Sequence, residues 1–403
     1  MSNVLEVINL FLSAENFIGP QFRYLNEKGA NMHLICSPAE RLDAFAKEQG
    51  IAYKSVVLER QLSPFKDLKA LIAICKYIRK NKIDVIVGHQ VKGRLLSVLA
   101  GKIMGVPKIV IFAHGALFET SRGLKRKLLL WESKFESFCA DYVVCVSRSV
   151  SQVRLREKID VIDKQVILGK GTCGGIDTQN KFNPERISDD DKKRLKRQLQ
   201  ISDSDIVIGF CGRLVKDKGV IELVEGFKLL KEKYPHLSFK LLVVGPLEKR
   251  DSIPLELVEY MRASQDIVFT GFVDGNMELY YSIMSLLILP SYREGFPTAV
   301  LEASAMGKPI LTSRKTGCID SIIDGKTGFY IDISPSGICC GVEKLLDADL
   351  RREMGTNARE WVVENFDHKK VWPYIEKLLI GEKNGKTKLE AGQYAQSCPS
   401  GHG

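Results

Sequence analysis

Two segments of the sequence combine glycines with charged side chains in a way that suits anion binding. The first is Gly209-Phe-Cys-Gly-Arg-Leu-Val-Lys-Asp-Lys-Gly219, in which a predicted strand leads into a predicted helix. Gly212 would let the backbone approach a ligand closely, and Arg213 and Lys218 would lie beside a helix N-terminus. The carboxyl end of a strand, where the following helix begins, is where open α/β sheets bind phosphates. Taken alone, a glycine turn with two solvated cations explains this segment equally well.

The second segment is Leu289-Pro-Ser-Tyr-Arg-Glu-Gly-Phe-Pro-Thr-Ala-Val-Leu-Glu302. Pro297 suits the first position of a helix, so the amides of the three residues after it are expected to face an anion. Glu294 precedes that helix and Glu302 lies two turns along it, where carboxylates could accept hydrogen bonds from hydroxyl groups. Eight helical residues span roughly 12 Å, which is too far for the paired carboxylates of a glycoside hydrolase.

The charge of the chain is concentrated in its first half. The 403 residues carry a net charge of +10, and residues 1–175 hold 27 Lys and Arg against 16 Asp and Glu. The positive electrostatic field of this excess favours an anionic partner, which could be nucleic acid, anionic lipid or a phosphorylated substrate. The pI near 9.0 keeps a nucleic-acid binder open, although the basic residues lack aromatic interleaving and no nucleic-acid motif occurs.

Several other classes are disfavoured. The 45% hydrophobic and 27% charged composition is that of a globular protein, and no run of 18 apolar residues predicts a transmembrane helix. The N-terminus predicts a first strand rather than a signal peptide, so we expect a cytoplasmic protein. The ten cysteines include no CxxC pair, and Asp203-Ser-Asp205 is expected to form a turn, so neither a metal site nor a disulfide framework is predicted.

Short apolar runs alternate with amphipathic stretches along both halves of the chain. This alternation predicts two parallel sheets, each covered by helices on both faces. The first strand is expected at Leu5–Leu12 and a late helix at Gly341–Ala348. Residues 180–204 are polar and predict an exposed connection with one surface helix between the halves.

The two charged segments together resemble the signature of the retaining, nucleotide-sugar-dependent glycosyltransferases of family 4. Glu294 and Glu302 match the family's E-x7-E spacing, and Gly212-Arg213 with Lys218-Gly219 match its basic loop. Further matching segments are Val273-Asp274, Thr316-Gly-Cys-Ile-Asp-Ser-Ile-Ile-Asp-Gly-Lys-Thr-Gly-Phe329, Asp84-Val-Ile-Val-Gly-His-Gln-Val-Lys92, Phe112-Ala-His-Gly115 and Gly169-Lys-Gly-Thr-Cys-Gly-Gly-Ile-Asp177. The subgroup resembles bacterial capsule and surface-polysaccharide transferases.

This resemblance implies the GT-B fold, with two Rossmann-like doubly wound domains facing across a cleft. It implies an N-terminal acceptor-side domain at 1–178, a nucleotide-sugar-binding domain at 179–365 and a helix at 366–380 that crosses back to the first domain. Residues 381–403 are expected to form a mobile tail.

The family's roles carry over to matching positions. Arg213 and Lys218 would grip the donor diphosphate, Glu294 would hold a sugar hydroxyl, and His114 would lie near the anomeric carbon. The implied catalytic residues are His114, Arg213, Lys218 and Glu294. The implied donor-binding residues are Gly212, Val273, Gly295, Phe296, Pro297, Thr298, Ala299 and Glu302, the last at the ribose. No cofactor and no metal ion are implied.

The resemblance offers an explanation for the excess of positive charge in the first half of the chain. The residues expected on the acceptor or membrane side are His89, Lys92, Lys125, Arg126 and Lys127. The run Lys125-Arg-Lys-Leu-Leu-Leu-Trp131 suits contact with an anionic inner membrane surface. A solvated helix face with Leu128–Trp131 in the core is an equal alternative.

The predicted activity is transfer of a hexose or hexosamine from a nucleotide sugar, UDP-linked, to a lipid-linked saccharide acceptor in surface polysaccharide synthesis. Peripheral attachment to the inner face of the cell membrane is expected, and nucleic acid is not an expected partner. The alternatives are a GT-B-fold sugar-nucleotide epimerase or phosphorylase and a basic nucleic-acid-binding protein.

Overall fold

The computed structural model describes residues 1–59, 63–248 and 251–381. The chain divides into two compact units. Unit 1 comprises Met1–Gly174 and the segment that starts at Lys369, and unit 2 comprises Gly175–His368. The first division thus falls at Gly174, where the sequence predicted 178. The tail predicted at 381–403 lies, apart from Gly381, outside the described residues.

Unit 1 is built on a parallel sheet with the strand order β3-β2-β1-β4-β5-β6-β7. Its strands are β1 (Ser2–Val7), β2 (Ala30–Cys36), β3 (Ala52–Ser55), β4 (Val85–Gly88), β5 (Lys108–Ala113), β6 (Tyr142–Cys145) and β7 (Gln165–Val166). The central strands are apolar and buried along almost their whole length, as expected where helices cover both faces of a sheet.

The helices of unit 1 follow the predicted alternation. They are α1 (Phe11–Ser13), α2 (Gly19–Glu27), α3 (Leu42–Gln49), α4 (Pro64–Asn81), α5 (Gln90–Met104), α6 (Gly123–Cys139) and α7 (Arg148–Arg156). Helix α3 was not predicted, although Leu42, Phe45 and Ala46 are buried at helical spacing.

The first strand is shorter than predicted. It ends at Val7 rather than Leu12, and helix α1 begins at Phe11. Between them, the Asn9 side chain accepts a hydrogen bond from the Gly93 amide at 2.8 Å, which satisfies a donor in the first turn of α5. An apolar run was therefore mistaken for a longer strand because periodicity alone does not show where a buried strand ends.

Unit 2 repeats the same architecture, with the strand order β10-β9-β8-β11-β12-β13 and parallel pairing throughout. Its strands are β8 (Ile206–Cys211), β9 (Phe239–Val244), β10 (Ile267–Gly271), β11 (Leu286–Leu289), β12 (Ile310–Ser313) and β13 (Gly328–Ile331). The edge strand β13 was not predicted. In each sheet the first three strands of the unit are added toward one side and the later strands are added on the other side of the first strand. This is the arrangement of doubly wound nucleotide-binding folds.

The helices of unit 2 are α8 (Asp189–Gln198), α9 (Val220–Lys233), α10 (Leu255–Ala263), α11 (Met277–Ser282), α12 (Thr298–Ala305), α13 (Pro335–Glu343) and α14 (Ala348–Phe366). Helix α8 is the predicted surface helix. Helix α13 corrects the prediction of a helix at Gly341–Ala348. The Ser334 hydroxyl accepts from the Gly337 amide at 3.0 Å and Pro335 occupies the first turn, so the Ser-Pro pair marked the true start.

The last described helix, α15 (His368–Ile380), belongs to unit 1 from Lys369 onward. The Trp372 indole donates to the Gly174 carbonyl at 2.8 Å, and Lys108 donates to the Leu378 carbonyl at 3.0 Å. Its buried face is formed by Val371, Ile375, Leu378 and Leu379. Through these contacts α15 packs as part of unit 1, although it lies far from the rest of that unit in the sequence.

Candidate functional site

The basic loop of unit 2 follows the central strand β8 at its carboxyl end. Gly219 closes this loop with φ +67°, a left-handed conformation that favours glycine. A Cβ atom there would lie 2.2 Å from the carbonyl oxygen of Pro290, so no other residue fits without a shift of the backbone. Glycine therefore allows the start of α9 to approach the loop after β11 closely.

That close approach brings two predicted catalytic residues together. The Lys218 ammonium donates to Oε1 of Glu294, and the Ser291 hydroxyl donates to the same oxygen at 2.8 Å. The side chains of Lys218 and Glu294 are only 16% and 13% exposed, so the ion pair is largely shielded from water. Ser291 was not predicted, and nothing in its sequence context distinguishes it from a loop serine.

The backbone of Glu294 is held by the segment that begins at Thr316. The Glu294 amide donates to the Thr316 carbonyl at 2.9 Å. Gly317 has φ +78°, and a Cβ there would lie 2.6 Å from the Glu294 carbonyl oxygen. The adjacent Cys318 is buried, which raises the pKa of its thiol to about 12. Gly317 thus packs against the backbone of Glu294, and the neutral Cys318 thiol adds no charge near its carboxylate.

Arg213 lies in the same loop but in a different setting. Its guanidinium donates to Oε2 of Glu248 at 3.2 Å, and its side chain is 53% exposed. An exposed ion pair of this kind contributes little to stability, so Arg213 can exchange its partner at low cost. A second pair, between Arg293 and Asp217, ties the two loops together and was missed in the sequence.

Glu302 lies on α12 and makes a contact that the sequence did not indicate. The phenol of the buried Tyr281 donates to its Oε2 atom at 2.7 Å. Burial raises the pKa of Glu302 above its usual value, and the Tyr281 hydrogen bond and the nearby Lys181 offset this only in part. The carboxylate is therefore already oriented by a neutral partner.

The first turn of α12 differs in two respects from the prediction, since Pro297 lies at the N-cap rather than at the first helical position and one of the three amides is bonded. The Val300 amide donates to the Pro297 carbonyl at 3.1 Å, so it is not free to face an anion. Pro297 caps this helix, and Thr298 and Ala299 form its first two positions, with Gly295 in the preceding loop. Phe296 packs against Phe366 with ring centroids 5.2 Å apart.

The remaining predicted donor residues have backbone or packing roles in unit 2. The Gly212 amide donates to the Val244 carbonyl at 2.9 Å, which continues the sheet beyond β8. Val273 packs, partly buried, against the core. Asp205 accepts from the Ser202 amide at 2.7 Å, and this turn before β8 is the one that was predicted for Asp203-Ser-Asp205.

Unit 1 carries a second group of polar residues at the carboxyl ends of its central strands. Nε2 of His89 lies 2.7 Å from Oε2 of Glu6, and Nδ1 of His89 lies 2.9 Å from Nε2 of His114. Glu6 and His89 are buried, while His114 is partly exposed. Glu6 was missed because a single acidic residue in an apolar strand has no motif around it.

Burial governs the protonation of this group. It raises the pKa of Glu6 to about 8. Burial, with a smaller effect from Arg94, lowers the pKa of His89 to about 3, and burial also lowers the pKa of His114 well below its usual range. At neutral pH the three residues are therefore uncharged.

His89 and Lys92 do not lie at the surface with the basic residues of α6, contrary to their predicted grouping. Lys92 is buried and its ammonium pairs with Asp67. Beside it, Nε of Arg94 donates to Oε2 of the buried Glu136 at 2.8 Å. These cations are neutralised within unit 1 and cannot contact a membrane directly.

The basic run on α6 is exposed in part. Lys125 and Lys127 are exposed, whereas Arg126 donates to Glu157 at 2.7 Å. Trp131 is 68% exposed and Leu128 is also exposed, while Leu129 and Leu130 pack on a small core cluster. The alternative that places the whole run Leu128–Trp131 in the core is therefore wrong for Leu128 and Trp131.

The described residues show neither a metal-binding cluster nor a membrane-spanning helix. Within residues 1–59, 63–248 and 251–381, no group of three His, Cys, Asp or Glu side chains is arranged to hold a metal ion. In the same ranges no helix is both long and apolar enough to cross a membrane. That catalysis needs no metal stays a prediction.

Family models match both halves of the chain. Residues 8–147 match the family described as glycosyl transferase 4-like, and residues 191–361 match glycosyl transferases group 1. The two matches fall on unit 1 and unit 2 respectively.

Individual relatives extend over most of the chain. It is 29% identical over 371 residues to the capsular polysaccharide biosynthesis glycosyltransferase CapM of Staphylococcus aureus, covering 91% of this chain and 94% of CapM. It is 24% identical over 363 residues to the UDP-Gal:alpha-D-GlcNAc-diphosphoundecaprenol alpha-1,3-galactosyltransferase of Escherichia coli, covering 89% and 91% of the two chains.

Among solved structures, HepE of Anabaena in complex with UDP and glucose superimposes with a TM-score of 0.78 at 15% identity, covering 94% of this chain and 99% of HepE. This likeness, with the two parallel sheets, confirms the predicted fold class.

Proposed function

The chain is a glycosyltransferase and belongs to the group 1 family with a 4-like N-terminal half, and from that membership we propose its reaction. It moves a hexose or hexosamine from a nucleotide sugar, UDP-linked, to a lipid-linked glycan in the assembly of a bacterial surface polysaccharide. The observation that carries the proposal is the shielded Lys218–Glu294 pair at the carboxyl edge of the unit 2 sheet. That edge is where doubly wound folds bind nucleotides.

The pair supplies both charges that the donor requires. A nucleoside diphosphate leaves as an anion, and its departure needs a cation as the glycosidic bond lengthens. Lys218 turns from Glu294 to the diphosphate when the donor binds, and Arg213 leaves Glu248 to do the same. Glu294 is then free to accept a hydrogen bond from a hydroxyl of the donor sugar, while Ser291 keeps its carboxylate in place.

The configuration of the sugar is retained in this proposal. Double displacement would need a carboxylate nucleophile at the anomeric carbon, and the role proposed for Glu294 is to hold a hydroxyl. Attack from the face of the leaving group fits this arrangement. The bond between the anomeric carbon and the diphosphate oxygen breaks, the bond to the acceptor oxygen forms, and the acceptor proton passes to the diphosphate.

The acceptor is proposed from the relatives. The Escherichia coli relative is named for a saccharide on diphosphoundecaprenol, and CapM is named for capsular polysaccharide biosynthesis. The first name specifies a saccharide carried on a lipid diphosphate, and the second places a relative in the synthesis of a surface polysaccharide. An acceptor of that kind requires the enzyme to work at a membrane surface.

Unit 1 offers a surface of suitable chemistry, which we call the α6 surface. It consists of exposed apolar side chains interleaved with exposed lysines on one helix, namely Leu124, Leu128, Trp131 and Phe138 with Lys125, Lys127 and Lys134. Phe138 is 82% exposed. Apolar side chains flanked by lysines suit the interface of an anionic bilayer, and we propose that this surface docks there.

A donor panel tests the reaction. UDP- and GDP-linked hexoses and hexosamines are incubated with a short-chain lipid-diphosphate saccharide, with and without EDTA, and the products are identified by mass and by anomeric configuration. We expect one UDP-sugar to give a retained glycoside, and we expect EDTA to leave the rate unchanged. An epimerised donor, a sugar phosphate or an inverted product would contradict the proposal.

A further inference from the structure

Three residues of unit 1 form a hydrogen-bonded chain across neighbouring strands. Glu6 lies on β1, His89 directly follows β4 and His114 directly follows β5. Because β1, β4 and β5 are adjacent and parallel, the ends of these strands lie side by side. Their side chains are linked by separations of 2.7 Å and 2.9 Å, and the chain runs from the interior to a partly exposed histidine. We call it the Glu6 chain.

The middle member is held rigidly. The His89 ring stacks on the Phe112 ring with centroids 4.6 Å apart and planes 23° apart, and the His89 amide donates to the Val7 carbonyl at 2.9 Å. His89 occupies the N-cap position of α5, yet its side chain does not cap the helix. Both of its ring nitrogens are instead engaged by Glu6 and His114.

Such a chain can hold its protons in two arrangements. In the first, the Glu6 carboxyl donates to His89 Nε2, His89 Nδ1–H donates to His114 Nε2, and His114 carries its own proton on Nδ1. In the second, Glu6 is ionised and both histidines carry their protons on Nε2, so His114 Nδ1 presents a lone pair. The second arrangement has one proton fewer than the first.

Burial favours the first arrangement at neutral pH. Glu6 is 1% exposed and His89 is 0% exposed, and a carboxylate or an imidazolium in such a place loses most of its hydration. The raised pKa of Glu6 and the lowered pKa of His89 express this cost.

We propose that Glu6, acting through His89, fixes the tautomer of His114 so that its outward nitrogen, Nδ1, donates a hydrogen bond to an oxygen atom of the substrate. Glu6 is thus a positioning residue for the transferase reaction, and this role rests on the proposed function. Loss of a proton at Nδ1 is coupled to two outward shifts: the His89 Nδ1 proton moves to Nε2 of His114, and the Glu6 proton moves to Nε2 of His89. The carboxylate of Glu6 is left, and the donor at Nδ1 becomes an acceptor.

The charged groups around the chain are themselves paired. Arg94 of α5 faces the two histidines and is bonded to Glu136 of α6. Glu132, one turn away on α6, has its pKa raised to about 7 by burial and by Glu136. Lys92 of α5 is paired with Asp67 of α4. Glu132 therefore titrates near the same pH, and its contribution must be separated from that of Glu6.

The neighbouring strand β2 carries two further titratable groups, the buried His33, whose pKa is lowered by burial, and the buried thiol of Cys36. Burial raises the pKa of this thiol to about 12, so it stays neutral over the range in which Glu6 loses its proton.

The tautomer is measured directly on the whole protein labelled with ¹⁵N-histidine, with His114→Gln used only to assign the signal. We expect the His114 Nδ1 shift of a protonated nitrogen at pH 6.5 and a change toward a lone-pair nitrogen with a midpoint near pH 8. A proton on Nε2 at pH 6.5 would overturn the proposal. This readout needs no substrate, so it stands even if no sugar is transferred.

The variant Glu6→Gln then separates positioning from mere packing. Its amide donates to His89 Nε2 as the protonated carboxyl does, but it does not ionise. We expect near-normal kcat/KM at pH 6.5, whereas at pH 9 the native enzyme loses roughly tenfold and the variant less than twofold, because a group with a pKa near 8 is about 90% ionised there.

Two further variants complete this test. Glu132→Gln should still lose kcat/KM at pH 9 as the native enzyme does. Glu6→Leu, which removes the hydrogen-bond donor to His89, should lower kcat at every pH. An alkaline loss that persists unchanged in Glu6→Gln would overturn the role of Glu6. Absence of turnover in every variant, with the expected tautomer, would contradict the proposed function instead.

Discussion

Unit 1 and unit 2 both place polar residues at the carboxyl ends of the central strands of a parallel sheet. These residues are neutral in unit 1 and charged in unit 2. In unit 1 the Glu6 chain is neutral, its inner members Glu6 and His89 are buried, and hydrogen bonds alone join its three residues. In unit 2 Lys218 and Glu294 form a charged pair that is largely shielded but keeps some exposure, and Arg213 is more exposed still.

The difference follows from what each site can contact. A cation that must meet a diphosphate has to stay charged, so it needs a carboxylate partner that it can leave and some access to solvent. A group that only directs a hydrogen bond can be buried, because burial keeps it neutral and holds its geometry. The same fold can therefore support electrostatic and directional roles at equivalent edges.

The largest expected effect concerns the charged site. Lys218→Ala removes the shielded cation, and we expect kcat/KM for sugar transfer to fall by about 10²–10³, the usual cost of losing one group that stabilises a leaving anion. Steady-state kinetics with the donor found in the panel measure this.

A matched variant controls for the loss of an ion pair as such. Lys231 pairs with Asp266, which precedes β10 at the opposite edge of the same sheet. Lys231→Ala should change kcat/KM by less than about twofold, as expected for an exposed pair. Equal losses of kcat/KM in Lys218→Ala and Lys231→Ala would contradict a specific role for the carboxyl edge of the unit 2 sheet.

The second prediction concerns the carboxylate partner. Glu294→Gln keeps the size of the side chain but removes its charge, so it weakens the bond to a sugar hydroxyl and unpairs Lys218. We expect kcat/KM to fall roughly 10- to 100-fold, in line with about 1.5–3 kcal/mol for a hydrogen bond to a charged group. An unchanged rate would exclude Glu294 from sugar binding.

The third prediction tests whether membrane contact belongs to unit 1. Replacing Lys125 and Lys127 by Gln removes two cations worth about 1 kcal/mol each near an anionic surface, so binding to anionic vesicles should weaken roughly 30-fold. Flotation at several salt concentrations measures it. Lys192→Gln with Lys193→Gln on α8 of unit 2 is the control, and a similar loss there would contradict docking through α6.

These sites differ in how far the sequence could predict them. The glycine-flanked basic loop and the spaced glutamates of unit 2 were visible because charged residues follow apolar strands there. The pairing of Lys218 with Glu294 was not visible, since it depends on how closely Gly219 lets two loops approach. His89 was assigned to the acceptor or membrane side from the resemblance of its segment to the family. Its buried contact with Glu6 was not visible, because Glu6 lies on β1, far from His89 in the sequence.

The same limit applies to the fold. Alternating patterns predicted the two parallel sheets, because strands buried on both faces are continuously apolar. Helix α3 and strand β13 were missed because each is short and partly exposed, and their boundaries depend on packing against neighbours.

The smallest expected effect is on stability, and it tests the neutral site. Glu6 keeps its proton in the folded protein up to about pH 8, whereas the unfolded chain releases it near the ordinary value of 4.5. Its contribution to stability is therefore present below pH 4.5 and is lost as the pH rises to 8. Glu6→Gln should gain thermal stability relative to the native protein over this range, by about 5 °C at pH 8.

Glu40→Gln, at an exposed position of unit 1, controls for the substitution. Its difference from the native protein should not vary with pH. A Glu6→Gln difference that is also constant from pH 5 to pH 8 would show that Glu6 is ionised in the folded state.

The affinity for UDP tests the diphosphate site of unit 2 directly. It is measured by calorimetry in the native protein and in Lys218→Ala, Arg213→Ala and Lys231→Ala. We expect UDP to bind the native protein, Kd to rise at least roughly tenfold in each of the first two variants, and Kd to be unchanged in the third. No binding of UDP to the native protein, or equal Kd values in all four proteins, would contradict a diphosphate site at this edge of unit 2.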